Sequence, residues 1–309
     1  MFRPKPPIPH PWPSPWRWSP IPKISRRLPR RNAVTVCIAA MAMGLTKDNK
    51  EYPLIIGASD RMITAGNIEY EPPRSKISRI TTYTVALSSG DVPIQAEVLN
   101  RTCSQFGRVS ADNPDIYSVE EIADAYGRNL VDYKSQIIER TILRPIGFTW
   151  QTYRKGYPDE TPSWFKKAIM RVFQDIDLPE TDTIIAGVDE TGAHLFVIDA
   201  NGYSSRLDSI GFASIGAGES HAKSQFMFER HTPSKSAEDT LFLTYLAKRR
   251  AEVAQGVGKE TDLFYISLKE GYVDLVEEQN ALEKVYESII RITDREIVKL
   301  KTLIPKIFK

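Results

Sequence analysis

Histidine and cysteine are scarce in this chain, and their scarcity narrows the chemistry before any motif is read. Cys37 and Cys103 are the only cysteines in 309 residues, too few for a disulfide framework and in keeping with a reducing compartment, so a cytoplasmic location is expected. The four histidines, His10, His194, His221 and His231, are scattered, and none has an obvious serine or cysteine partner. No group of His, Cys, Asp and Glu has metal-ligand spacing, so neither a metal nor another cofactor is expected. Long apolar runs are missing too, with nothing near the roughly 18 residues of a membrane span, so no membrane partner is expected.

Acidic residues are absent from residues 1–32, which hold eight lysines and arginines. Because the whole chain carries a formal charge of only +2, the rest of it stands at −6. The basic character therefore belongs to the front, and nothing in the body calls for nucleic acid. Residues 1–34 read as a disordered Pro/Arg-rich tail without the continuous apolar stretch of a secretory signal. Three origins stay open for it: a propeptide removed by self-cleavage, a permanent extended arm, or upstream sequence included by too early a start codon. The last is favoured. Starting at Val34 on a valine codon would give Met-Thr-Val-Cys, and methionine is readily trimmed before a small threonine.

What the chain does contain is concentrated between Thr35 and Gly90. Thr35 heads an apolar, β-branched strand. Gly57-Ala-Ser-Asp60-Arg61, Thr64-Ala-Gly66, Lys76 and Ser88-Ser-Gly90 follow. A threonine hydroxyl is a poor nucleophile at neutral pH, but a threonine at residue one carries its own base: a free α-amine, with a reference pKa of roughly 8, can take the hydroxyl proton directly or through a water. Such chemistry needs no histidine. It does need an ammonium to tune the amine, a carboxylate to hold the ammonium and backbone N–H donors for a developing oxyanion. Lys76, Asp60 and the Ser89-Gly90 turn suit those three jobs.

These segments, with Thr35-Val-Cys-Ile-Ala-Ala40, Lys76-Ile-Ser-Arg-Ile80 and Ala86-Leu-Ser-Ser-Gly90, resemble the amino-terminal third of proteasome β-type subunits. The bacterial proteasome-like proteins of the Anbu type, whose reading frame opens Met-Thr and loses the methionine, are the nearest in character. Lys76 lies ten residues after Gly66 and fourteen before Gly90, as the family pattern requires. Looser likeness continues through Thr183–Asp189, Phe196–Gly202 and Ala213–Gly218 to about Leu268. The resemblance implies Thr35 as nucleophile and base, Asp60 and Lys76 as the adjoining charge pair, and the Gly90 N–H in an oxyanion hole. It implies a self-assembling ring or helical homo-oligomer acting on peptides or unfolded polypeptide, with an ATP-dependent unfoldase as a further partner. Departures accompany it. Ala217 stands between Gly216 and Gly218 where active subunits usually carry serine, and Ala254 and Val257 stand where aspartate and serine are expected, with Glu252 and Thr261 as nearby substitutes. Two alternatives follow: a non-catalytic assembly subunit, or a hydrolase of small amides.

The periodicity supports an α+β fold. Strands are expected at 33–44, 53–60, 75–80 and 83–89, followed by helices to about Phe106 and from the Ser118 cap onward. Residues 144–162 read as irregular, and 163–175 as helical. A second strand block begins at Thr183 with turns at 189–192 and at Asp199–Gly202, where Asn-Gly signals a hairpin. Two further strands follow, helices near 219–230 and 236–255, and a last strand at 263–268. With helices segregated from strands, the expected architecture is a four-layer αββα sandwich of two antiparallel sheets, the fold that the resemblance to N-terminal-nucleophile hydrolases implies. Residues 35–270 form the hydrolase-like domain and 271–309 a C-terminal helical appendage. Cys37 shares a strand face with Thr35 and reads as a small buried residue; Gly216-Ala-Gly218 lacks the lysine and full spacing of a phosphate loop and reads as a tight turn.

Overall fold

The computed structural model describes residues 35–65, 68–72, 75–107, 116–156, 162–176 and 178–301. The tail 1–34, Gly66 and the final stretch 302–309 of the appendage lie outside them. In chain order the strands are β1 (Cys37–Leu45), β2 (Glu51–Asp60), β3 (Ile63–Ala65), β4 (Ile68–Tyr70), β5 (Ile77–Arg79) and β6 (Thr84–Gly90). Helices α1 (Val92–Phe106), α2 (Val119–Ile138), α3 (Trp150–Arg154) and α4 (Ser163–Asp175) follow. Then come β7 (Thr181–Asp189), β8 (Gly192–Ile198), β9 (Ser204–Arg206) and β10 (Phe212–Ile215). Helices α5 (Glu219–Phe228) and α6 (Ala237–Ala251), strands β11 (Thr261–Ser267) and β12 (Gly271–Asp274), and α7 (Gln279–Lys301) complete the order.

Among the described residues the strands make two five-stranded antiparallel sheets, ordered β10-β1-β2-β11-β12 and β5-β6-β7-β8-β9, with β3 and β4 as a separate hairpin. The chain is thus α+β, with two antiparallel sheets as expected. Period-two alternation explains why β1 reads as an unbroken apolar run. Cys37 and Ala39 face a cluster that includes Ile55 and Phe264 of their own sheet and Val85, Leu87, Ile184 and Leu195 of the other. Val36, Ile38 and Ala40 face the opposite way, onto Ala222 and Phe226 of α5 and Leu243 and Ala247 of α6. The outer side of the second sheet is covered by Ile94 and Val98 of α1 and Ile122, Tyr126 and Leu130 of α2.

Local signals account for several boundaries. Asp91 caps α1, accepting the Ile94 N–H at 3.0 Å, and Ser118 caps α2 as expected. The Asp199–Gly202 turn closes through the Asp199 carboxylate, which accepts the N–H groups of Asn201 and Tyr203 at 2.8 Å. Elsewhere the structure differs from the sequence reading. The connection 144–162 contains α3, whose five residues are too few to show a period and which is capped reciprocally by Thr149 and Thr152. The first sheet also extends past residue 270, because β12 pairs Tyr272 with Ile266 and Val273 with Tyr265; four residues were too short a pattern to read. His194, for which no serine or cysteine partner was expected, is bonded to Asp208 through Nδ1 and to Thr191 through Nε2, each at 2.7 Å. The Thr191 hydroxyl donates to Asp189 at 2.6 Å, and Asp189 accepts the first N–H of α2, from Val119, at 3.0 Å. That cluster fastens a hairpin to a helix start.

Phe264 is among the largest fully buried side chains, and Gly57 leaves room for it: a Cβ there would fall 2.3 Å from the ring. Phe264→Ala is expected to lower unfolding free energy by about 3–5 kcal/mol. Denaturant titration checks this, with a shifted midpoint and an unchanged slope.

Candidate active site

Thr35 stands just ahead of β1, and the backbone around it is tightly held. Its carbonyl accepts the Gly218 N–H at 3.2 Å. Gly216 has a φ of +93°, and a Cβ on it would come within 2.4 Å of the Thr35 carbonyl oxygen, so this turn requires glycine both for its conformation and for the close approach. The Asp60 N–H donates to the Val36 carbonyl at 3.1 Å, while the Val36 N–H donates to Asp60 Oδ1 at 3.0 Å. Strand end and carboxylate are therefore fixed to each other before the threonine side chain is considered.

That side chain completes a three-way contact. The Thr35 hydroxyl donates to Asp60 Oδ1. The Lys76 ammonium donates to Thr35 Oγ1 at 2.5 Å and to Asp60 Oδ1 at 2.9 Å. Thr35 and Asp60 are 1% and 0% exposed, and the Lys76 side chain 14%. The other carboxylate oxygen, Oδ2, accepts the N–H groups of Met62 at 3.2 Å and Gly258 at 2.9 Å. A carboxylate so deeply buried is stable only with this much compensation. The Lys76 ammonium thus lies against the Thr35 hydroxyl and the Asp60 carboxylate at once.

The structure thus joins Thr35, Asp60 and Lys76 by direct hydrogen bonds, although they come from three segments. Gly90 takes its place from β7 instead. It pairs with Thr181 at a φ of +112°, and a Cβ would lie 2.2 Å from the Glu180 carbonyl, so no other residue fits this strand end without a shift. The Thr64-Ala65 part of the expected motif forms β3, and Gly66 lies outside the described residues. The two suggested substitutes turn elsewhere: Glu252 pairs with Lys248 and Arg249, and the Thr261 hydroxyl donates to the Lys259 carbonyl at 3.3 Å. Ala217 and Ala254 pack against the apolar cluster around Val36 and Ile38. The Val36, Met62 and Gly258 amides escaped the sequence reading because a backbone donor leaves no residue-type signature; only the glycine at 258 hinted at a close approach.

Cys37 behaves as a small buried residue. It is 0% exposed, its thiol donates to the Ser88 carbonyl at 3.7 Å, and burial pushes its pKa up to about 12 despite the opposing pull of Lys76.

No protein-family model matches this chain, and no curated protein matches it. Function is therefore read from the site itself.

Lys76→Met removes the cation and leaves the buried Asp60 carboxylate with backbone and hydroxyl donors only. The expected loss of unfolding free energy is about 3 kcal/mol, which thermal or denaturant unfolding of the variant checks. A loss below the measurement error would show that the ion pair is not holding this corner of the fold.

Proposed function

We propose that this chain is an N-terminal-threonine amidohydrolase of the proteasome β type, built on the four-layer αββα sandwich of N-terminal-nucleophile hydrolases. The observation that carries this reading is the mutual contact of the Thr35 hydroxyl, the Lys76 ammonium and the Asp60 carboxylate at the head of a buried strand. With the chain starting at Thr35, its Oγ attacks a peptide carbonyl while its own α-amine takes the hydroxyl proton, directly or through a water. Lys76 keeps that amine neutral, and Asp60 holds Lys76. The Gly90 N–H stabilises the tetrahedral oxyanion. The amine then returns its proton to the leaving group, and water releases the acyl group from Thr35. Peptides or unfolded polypeptide are the substrates in this reading, processed inside a homo-oligomer in the cytoplasm, with an ATP-dependent unfoldase as supplier.

One observation favours a second reading, a non-catalytic assembly subunit. Ala217 and Ala254 present methyl groups where the resemblance leads one to expect polar side chains, and both pack into an apolar cluster.

Thr35→Ala separates the two. On the hydrolase reading it lowers kcat/KM for a fluorogenic peptide amide by about a thousandfold or more, and mass analysis of the natural protein finds threonine 35 as its first residue. An unchanged rate would remove Thr35 as the nucleophile, and a parent protein without turnover, in which residue 35 retains a peptide bond to residue 34, would leave the assembly subunit.

A further inference from the structure

Lys248 on α6 is 0% exposed, an unusual place for a side chain whose ammonium is costly to bury unless every donor is used. All three donors have partners. One goes to Glu252 Oε1 at 2.7 Å, and the other two go to consecutive carbonyls of one loop, Gly258 at 3.0 Å and Lys259 at 2.7 Å. Burial pulls the ammonium below the usual lysine range; Glu252 and, at longer range, Asp60 oppose that, and Arg249 reinforces it. The gripped loop is the one whose Gly258 N–H donates to Asp60 Oδ2 at 2.9 Å. Gly258 is therefore held from both sides, its carbonyl by Lys248 and its N–H by Asp60. It also packs so closely that a Cβ would fall 1.9 Å from Glu71 Oε1. Nearby in the same stretch, Ala254 and Val257 supply only apolar surface.

We propose that Lys248 is a positioning residue for the threonine site: through Gly258 it fixes the Asp60 carboxylate, and hence the Lys76 ammonium, against Thr35. This rests on the hydrolase reading. When that hold is lost, Asp60 loses a fixed donor and Lys76 a fixed anchor. The positive charge beside the Thr35 amine slackens, the amine binds its proton more readily, and the acid limb of the pH–rate profile moves to higher pH.

Lys248→Met takes the buried cation from the Glu252 carboxylate, leaving it Arg249 at 3.1 Å, and can lower stability for that reason alone, so the decisive protein is Lys248→Met/Glu252→Gln, in which neither member of the buried pair keeps its charge and Arg249 retains Glu283. The full chain, both variants and Thr35→Ala are compared on a fluorogenic peptide amide, with thermal unfolding measured alongside. The double variant is expected to unfold as cooperatively as the parent, yet to lose about tenfold or more in kcat at a KM within about twofold, with the acid limb raised by about half a pH unit or more. A double variant with parental kcat and an unmoved acid limb, while Thr35→Ala is inactive, overturns the assignment of Lys248 and leaves the hydrolase reading standing. Turnover that survives Thr35→Ala sinks the hydrolase reading, and this assignment with it.

Discussion

A carboxylate sealed from water has to satisfy both oxygens from within the protein, and Asp60 does so with five donors: the Thr35 hydroxyl, the Lys76 ammonium and the backbone N–H groups of Val36, Met62 and Gly258. Those donors come from before β1, after β2, ahead of β5 and ahead of β11. One negative charge thereby ties four places in the chain together, and each tie is one that burial makes expensive to break. The site and the corner of the first sheet that holds it are the same piece of structure.

The two-faced burial of β1 does the rest of the placing. One face of the strand meets the second sheet and the other meets α5 and α6, so a one-residue slip would put every side chain on the wrong side. Pairing from Cys37–Ser59 to Leu45–Glu51 holds the register over the whole strand. The glycine turn that precedes α5 comes so near the Thr35 carbonyl that only glycine fits at 216. A hydroxyl at the end of a strand would ordinarily be loose. Here the backbone on both sides of it is pinned.

Much of this was legible in the residues. The strands and helices showed because β1 is a sustained apolar run and α2 carries a long helical period, and Ser118 and the Asn201-Gly202 pair supplied boundary chemistry that the structure uses. Thr35, Asp60 and Lys76 stood out through family spacing, and the structure brings them into contact; their roles remain an inference from that contact. The parts that stayed hidden have a common cause. The short elements β12, β3, β4 and α3 hold too few residues for a period to emerge. Donors such as the Gly258 N–H belong to the backbone, and Lys248 reads as one of three successive basic residues at the end of α6. Its position four residues after the buried Thr244, at the margin of the apolar face, was the available sign that it turns inward.

The thiol of Cys37 has a consequence for how this protein would meet reactive small molecules. Sulfur is the softer and usually the faster nucleophile, yet only its thiolate is reactive, and at a pKa of about 12 that form is almost unpopulated at neutral pH. Two residues from the threonine hydroxyl, the sulfur is chemically silent. An oxygen-seeking warhead directed at Thr35 would therefore find no competing sulfur ready to intercept it, and mild oxidants would leave Cys37 untouched.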